Sequence, residues 1–511
     1  MVMRKDLFLM NYMILLFKKI PFFLFLLVLF FCLNGSAENY GYLNVYEVTE
    51  VALITLLCMA VFFALTWLFT KNYLFASLVT FFIALWYLFF GAMHDWIKSI
   101  PFLQFLQSYT VIIPVLIVIN ILVIRWIKKN KQIYQKLFLY LNVLFLLFCI
   151  TDAVNMFNKH TRFKKIKFTE PVAFDQSGVT QKPNVYFLLF DEYAGYKSLA
   201  DSFGFKNDSL YRFLEQKDFT ELPTFANYDF TPFSMSAIFN MQYVPENYRK
   251  HALTQPDIQQ RFGEIRHAQV FSIFKDLGYR IENNSIFDIK DHPSLYRYNG
   301  LFPMHATLLT NKIFHKRLIK DIGWWFVTGK FEIPYLKKMY LYRKDDYNVQ
   351  VEQKVMEAAA SRPVQPTFFY GHLFLPHGQF YRDSTGVFNT SDKILDLRYL
   401  EDKSLYLAYL KYTNTVIKKL VNKIVDNDPA AIIIIMSDHG FYDYRSPGDY
   451  DPYNFDSICF LRLPGAKPDS INLPRSNVNF FRYLFNAGYG QNLPYVKDSA
   501  VFVIEDPAVL R

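Results

Sequence analysis

Three short apolar runs in this 511-residue chain each end in residues that can do chemistry. Residues 184–190 (NVYFLLF) lead into Asp191 and Glu192. Residues 367–375 contain His372 and lead through Pro376 to His377, and residues 431–436 lead through Ser437 to Asp438, His439 and Gly440. Ligands of open α/β sheets bind outside the carboxyl ends of the strands, so parallel strands would bring these groups to one edge. Carboxylate oxygens and imidazole nitrogens together suit zinc or manganese better than calcium, which takes oxygen alone. Asp438 and His439 are adjacent, so both can face one ion only in a turn, which Gly440 is expected to supply.

A nucleophile is the next requirement. Phe230-Thr231-Pro232 reads as a helix start, with Thr231 at the cap and Pro232 at the first helical position. A hydroxyl there would face free backbone N–H groups and the positive end of the helix dipole, which favours bound phosphate. Coordination to a metal would lower its pKa and make it nucleophilic. Ser234 and Ser236 are the rival hydroxyls.

The elements that must hold these groups divide the chain. Hydrophobic residues make up 52% and charged residues 20%, which fits a membrane part joined to a soluble part. A membrane-spanning helix needs about 20 mostly apolar residues, and five stretches qualify, at 17–33, 50–69, 73–93, 109–127 and 137–156. Ten Lys and Arg residues flank one side of these spans and only Lys98 lies in the short loops of the other, which places the N-terminus in the cytoplasm. Lys159, Arg162, Lys164, Lys165 and Lys167 follow the fifth span; counting them leaves ten against six, the same sign. The net charge of +10 is accounted for by the membrane, and no nucleic acid is expected. The first span also reads as a cleavable signal peptide, which would leave the C-terminal part outside all the same. The four cysteines form no C-x-x-C pair, which excludes thiolate zinc sites and dithiol redox chemistry.

The expected organisation is a transmembrane helical domain at 1–158, a juxtamembrane linker at 159–182 and a catalytic domain at 183–511. Strand-type runs at 184–190, 279–282, 367–375, 431–436 and 458–463 alternate with helical patterns at 260–277, 397–425 and 477–486. Strands too apolar for one wet face argue a mostly parallel sheet covered by helices on both sides.

With these residues in hand, the chain resembles the alkaline phosphatase/sulfatase superfamily, in particular its membrane-anchored branch similar to lipoteichoic acid synthase and lipid A phosphoethanolamine transferases. The resemblance rests on PNVYFLLFDEY, NYDFTPFSMSAIFNM, HLFLPHGQF, IIIIMSDHG and the tail SNVNFFRYLFNAGYGQNLP. It implies a fold class of α/β type, a bundle of about five transmembrane helices followed by an extracytoplasmic sulfatase-like domain with a mostly parallel sheet covered by helices. It implies one divalent ion, Mn2+ or Zn2+ with Mg2+ as a further candidate. Glu192 would be its first ligand, Asp191 the neighbouring acidic position, Thr231 the metal-bound nucleophile, and Asp438 and His439 the rest of the shell. His377 would bind the transferred group or protonate the leaving oxygen, with His372 a second substrate-binding candidate. The sulfatase nucleophile motif C/S-x-P-x-R is absent around Thr231.

The function these readings imply is transfer of a phosphorylated headgroup, of phosphoglycerol or phosphoethanolamine type, through a phosphothreonine. The donor would be a membrane lipid and the acceptor an envelope glycan or lipid, on the outer face of the cell (inner) membrane. The alternative is a hydrolase of phosphate or sulfate esters. Oligomeric state is not legible from the chain.

Overall fold

The protein is described here from a computed structural model covering residues 12–40, 43–162, 171–244, 255–296, 298–303, 306–323, 325–328, 332–361, 365–395, 402–441, 452–465 and 472–503. Contacts group the chain into two compact units, Met1–Lys165 with Tyr298–Phe326, and Ile166–Arg297 with Val327–Arg511.

The first unit is helical. Its main helices are α1 (Phe22–Glu38), α2 (Val45–Thr70), α3 (Tyr73–Ser99), α4 (Tyr109–Lys129) and α5 (Tyr134–Arg162). Among the described residues, four helices are long and apolar enough to cross a membrane, or five if the bent pair Tyr12–Lys19 and Phe22–Glu38 counts as one span. That pair corrects the expected continuous first span, because the chain turns by 84° at the break. Pro21 cannot donate a backbone bond. Asn142 of α5 covers the groups the break exposes, accepting from Phe23 N at 2.6 Å and donating to the carbonyls of Phe17 and Ile20 at 2.8 Å.

Residues 298–326, expected to lie within the catalytic domain, pack with these helices instead. Leu309 and Ile313 join the core built by Phe23, Phe81 and Phe138. Gly91 N donates to Lys312 O at 2.7 Å, and a Cβ at Gly91 would stand 2.7 Å from Lys312 Cα, so the approach requires glycine. Tyr109 OH donates to Asp321 Oδ2 at 2.6 Å. Of the expected linker, residues 163–170 lie outside the described residues.

The second unit is a three-layer α/β domain. Its sheet contains β1 (Val185–Phe190), β2 (Thr220–Glu221), β3 (Arg280–Asn284), β4 (Thr367–Leu373), β5 (Ile432–Met436) and β6 (Cys459–Arg462), in the order β2-β6-β5-β1-β4-β3. β1 lies between β4 and β5, parallel to both, and β3 is parallel to β4. β6 and β2 complete the edge antiparallel.

Alternate residues of the central strands feed separate cores. Tyr186, Leu188 and Phe190 join Ile433 and Ile435 on one face, with helices α7 (Arg343–Ser361) and α8 (Lys403–Asn427) above them. Val185, Phe187 and Leu189 join Ile432, Ile434 and Met436 on the other, under α6 (Thr231–Asn240) and α9 (Phe480–Tyr489). Burial on both faces is why these strands read as unbroken apolar runs. The helix expected at 260–277 is two helices, Gln255–Arg266 and Gln269–Asp276, and the helix expected from residue 397 begins at Lys403.

Candidate metal centre and nucleophile

The parallel strands β1, β4 and β5 deliver the polar residues to one edge, because all three run in the same direction. At the end of β1, Asp191 N donates to Leu373 O at 3.0 Å, so the chain stays in register one residue beyond the strand. Glu192 then takes a left-handed conformation with φ 63°, rare for a residue with a Cβ. The turn is held on both sides: Glu192 N donates to Asp438 Oδ1 at 3.3 Å, and Tyr406 OH donates to Glu192 O at 2.7 Å. At the end of β5, Ser437 Oγ accepts from Tyr193 N at 2.8 Å and donates to His439 O at 2.8 Å, tying the two turns together.

Gly440, expected to supply the turn after Asp438 and His439, does so without a positive φ. It is required by close approach. A Cβ there would stand 2.3 Å from Tyr453 O and 2.6 Å from Asp456 O.

Asp191, Asp438 and His439 bring one ligand atom each to within 4.8 Å of one another, and all three are buried. His439 Nδ1 lies 2.8 Å from Gly440 O, and a carbonyl can only accept, so Nδ1 carries the proton and Nε2 presents its lone pair. That Nε2 is 3.3 Å from Asp438 Oδ2, 3.8 Å from Asp191 Oδ1 and 3.3 Å from Thr231 Oγ1. Asp191 Oδ1 and Asp438 Oδ2 have no hydrogen-bond partner among the described residues. Two buried carboxylate oxygens and an imidazole lone pair aimed at one point repel one another unless a cation joins them, so the residues fit a divalent ion.

The electrostatics agree. Burial and the neighbouring Asp191 push the Asp438 carboxyl above its ordinary range. Burial opposes ionisation of Asp191 too, but the imidazoles of His377, His372 and His439 outweigh it and hold that carboxyl well below the usual range. For His439, burial is outweighed by Asp438, Asp191 and Glu192, which raise its pKa.

Thr231 stands at the first position of α6, with Phe230 as the cap residue, one place later than expected. The helix-end donors expected to face a phosphate are largely spent: Pro232 has none, and Phe233 and Ser234 both donate to Phe230 O at 3.0 Å. The rival hydroxyls are engaged elsewhere. Ser234 Oγ donates to Tyr228 O at 2.7 Å and Ser236 Oγ to Glu264 Oε2 at 2.6 Å.

Two expected roles shift. Glu192, the expected first ligand, turns its carboxylate toward His377, with Oε2 4.0 Å from Nε2, while the neighbouring Asp191 joins the close set. His372 is not at a substrate face: it is 0% exposed, between Tyr370 OH at 3.1 Å and Asp191 Oδ2 at 3.3 Å. It orients Asp191 from behind. His377 is 27% exposed, and burial, reinforced by Lys344, lowers its pKa to about 4.

Lys344, near the start of α7, escaped the sequence reading. Its ammonium donates to Gly378 O at 3.3 Å and lies 4.7 Å from the Phe374 ring centre, and the Phe374 ring is 5.9 Å from that of His377. Burial lowers its pKa to about 8, against the pull of Asp191 and Glu192. Nothing in the local sequence marks it, since it lies in the charged run RKDD.

The sulfatase family model matches residues 249–490, a stretch that includes His377, Asp438 and His439. No curated protein matches the chain. Among solved structures, the C-terminal periplasmic domain of EptC from Escherichia coli, solved in complex with zinc, is 12% identical with a TM-score of 0.40, over 65% of this chain and 92% of that one. The corresponding domain of the phosphoethanolamine transferase EptC from Campylobacter jejuni is 11% identical with a TM-score of 0.35, over 63% and 94%. A putative sulfatase from Bacteroides thetaiotaomicron is 12% identical with a TM-score of 0.39, over 62% and 73%.

Proposed function

We propose that this chain, which carries a sulfatase-family domain of the alkaline phosphatase superfamily, transfers a phosphorylated headgroup from a membrane lipid to an envelope glycan or lipid. The observation that carries the reading is the Thr231 hydroxyl, 3.3 Å from His439 Nε2 inside the carboxylate–imidazole cluster, where a sulfatase would need Cys or Ser.

Asp191, Asp438 and His439 would hold the divalent ion, zinc or manganese by donor type, with Glu192 at the His377 side. When bound, such an ion lowers the hydroxyl's pKa and neutralises charge on the phosphoryl oxygens. Thr231 Oγ attacks phosphorus, the bond to the diglyceride oxygen breaks, and phosphothreonine forms. The acceptor hydroxyl then attacks the same phosphorus and Thr231 is released. Over the cycle one proton passes from Thr231 to the diglyceride alcohol, and the acceptor's proton returns to Thr231. His377, neutral at pH 7, would carry both. Lys344 supplies a positive charge for a phosphoryl oxygen, consistent with a reaction that depends on positioning and charge. The apolar helices support a site that works at a membrane surface, and the charge asymmetry of the loops supports an extracytoplasmic or periplasmic face.

The test is mass spectrometry of the Thr231 peptide from the full chain after incubation with membrane lipids and Mn2+ or Zn2+. A phosphorylated headgroup on Thr231, absent in Thr231→Ala, is expected. A covalent adduct that persists in Thr231→Ala removes the mechanism, and free phosphate or sulfate without a modified acceptor assigns a hydrolase instead.

A further inference from the structure

In the helical unit, a cleft of about 400 Å3 opens between the C-terminal ends of α1 and α5. Asn34 and Glu38 line it from α1, and Asp152, Asn155, Asn158 and Lys159 from α5. Asp152, Asn155 and Lys159 are spaced i, i+3 and i+7, on one stripe of the helix. The stripe continues the face that meets α1 through Asn142 and through Cys149, whose Sγ donates to Leu26 O at 3.5 Å.

Ionisable groups near the end of a membrane-length helix are costly unless they serve a ligand or one another. Asp152 is 8% exposed, and its Oδ2 has no hydrogen-bond partner among the described residues. Lys159 does not answer it, since its ammonium donates to Ala37 O. Glu38 is paired with Lys312. The cleft thus presents a carboxylate lacking a cation, an ammonium with further N–H groups to give, and three amides. A bare metal cation would meet the charge of Lys159, and a purely anionic group the charge of Asp152.

We propose that this cleft binds a lipid headgroup carrying both a phosphate and a primary ammonium, the ammonium on Asp152 and the phosphate on Lys159 and the neighbouring amides. The lipid source follows from the walls. Both helices are apolar below the cleft, where acyl chains would pack, and turn polar at Asn34 and Asp152, as helices do where headgroups begin. The inference goes beyond the metal centre and requires no turnover there.

The experiment uses the full chain with Thr231→Ala, in detergent with chelator, so that reaction at the metal centre does not enter. Native mass spectrometry follows binding of phosphatidylethanolamine, phosphatidylcholine and phosphatidylglycerol. Phosphatidylethanolamine is expected to bind about tenfold more tightly than phosphatidylglycerol. Asp152→Asn should weaken it by about tenfold and leave phosphatidylglycerol unchanged, since a charge-assisted bond is lost. Asn155→Leu, which fills the cleft without changing charge, should weaken it as well. Equal binding of the three lipids overturns the proposal. So does undiminished phosphatidylethanolamine binding in either variant, each checked for helix content by circular dichroism.

Discussion

His372 Nε2 meets Asp191 Oδ2 at 3.3 Å with neither side chain reaching solvent, and this contact leaves Asp191 Oδ1 directed at His439. A partner of that kind fixes a ligand's direction rather than touching substrate. His372→Ala is therefore expected to lower metal affinity by about 10–100-fold. Competition with a chelator measures it, and added metal in excess should restore most of the activity. Activity that stays low at saturating metal would return His372 to a substrate role.

Lys344 gives the reaction an alkaline limit. Its ammonium, with a pKa of about 8, loses its charge as the pH rises past that value, so kcat/KM should fall above pH 8. Lys344→Arg stays charged and should move the limit upward, whereas Lys344→Met should lower kcat/KM by about 10–100-fold below pH 8 and remove the alkaline fall. A pH–rate profile unchanged in Lys344→Met contradicts this role.

His377 links stability to pH with a definite sign. Its pKa is about 4 in the folded chain and 6.5 as the ordinary value, so between these the unfolded chain binds more protons. Stability is then full above pH 6.5 and is lost as pH falls toward 4. The Tm of the metal-free chain in detergent, followed over this range, should fall less in His377→Gln than in the parent. Parallel curves for the two would show that other groups set the slope.

Gly440→Ala should fail for steric reasons. The added methyl meets two backbone oxygens, of Tyr453 and Asp456, which cannot swing away as a side-chain tip would. A loss of about 1–3 kcal/mol is expected, with metal affinity reduced because His439 shifts with the turn. Denaturant unfolding and metal titration together check both; normal values in both would mean the turn relaxes freely.

Much of this was legible in the chain. β1, β4 and β5 announce themselves because burial on both faces leaves no polar alternation, and the strand ends then point to Asp191, His377, Asp438 and His439. The choice between Asp191 and Glu192 was not legible. They are adjacent and both lie near His377 and His439, and only the folded chain shows that Asp191 belongs to the closest set while Glu192 takes a left-handed backbone. His372 falls inside the apolar run of HLFLPH and His377 beyond it, and the structure keeps that division, but only packing shows that His372 meets Asp191 rather than a substrate face. Lys344 is brought in by tertiary packing from a helix whose own sequence reads as an ordinary solvated start.

The segment 298–326 has a practical consequence. It belongs by packing to the helices, although the chain reaches it only after β1, β2 and β3 are complete. A protein cut at residue 182 would keep the segment and lose what covers it, leaving Leu309, Ile313 and Phe314 bare to water. Such a fragment is expected to clump on storage, and excising the whole loop, rather than trimming the N-terminus alone, is the route to a soluble catalytic half.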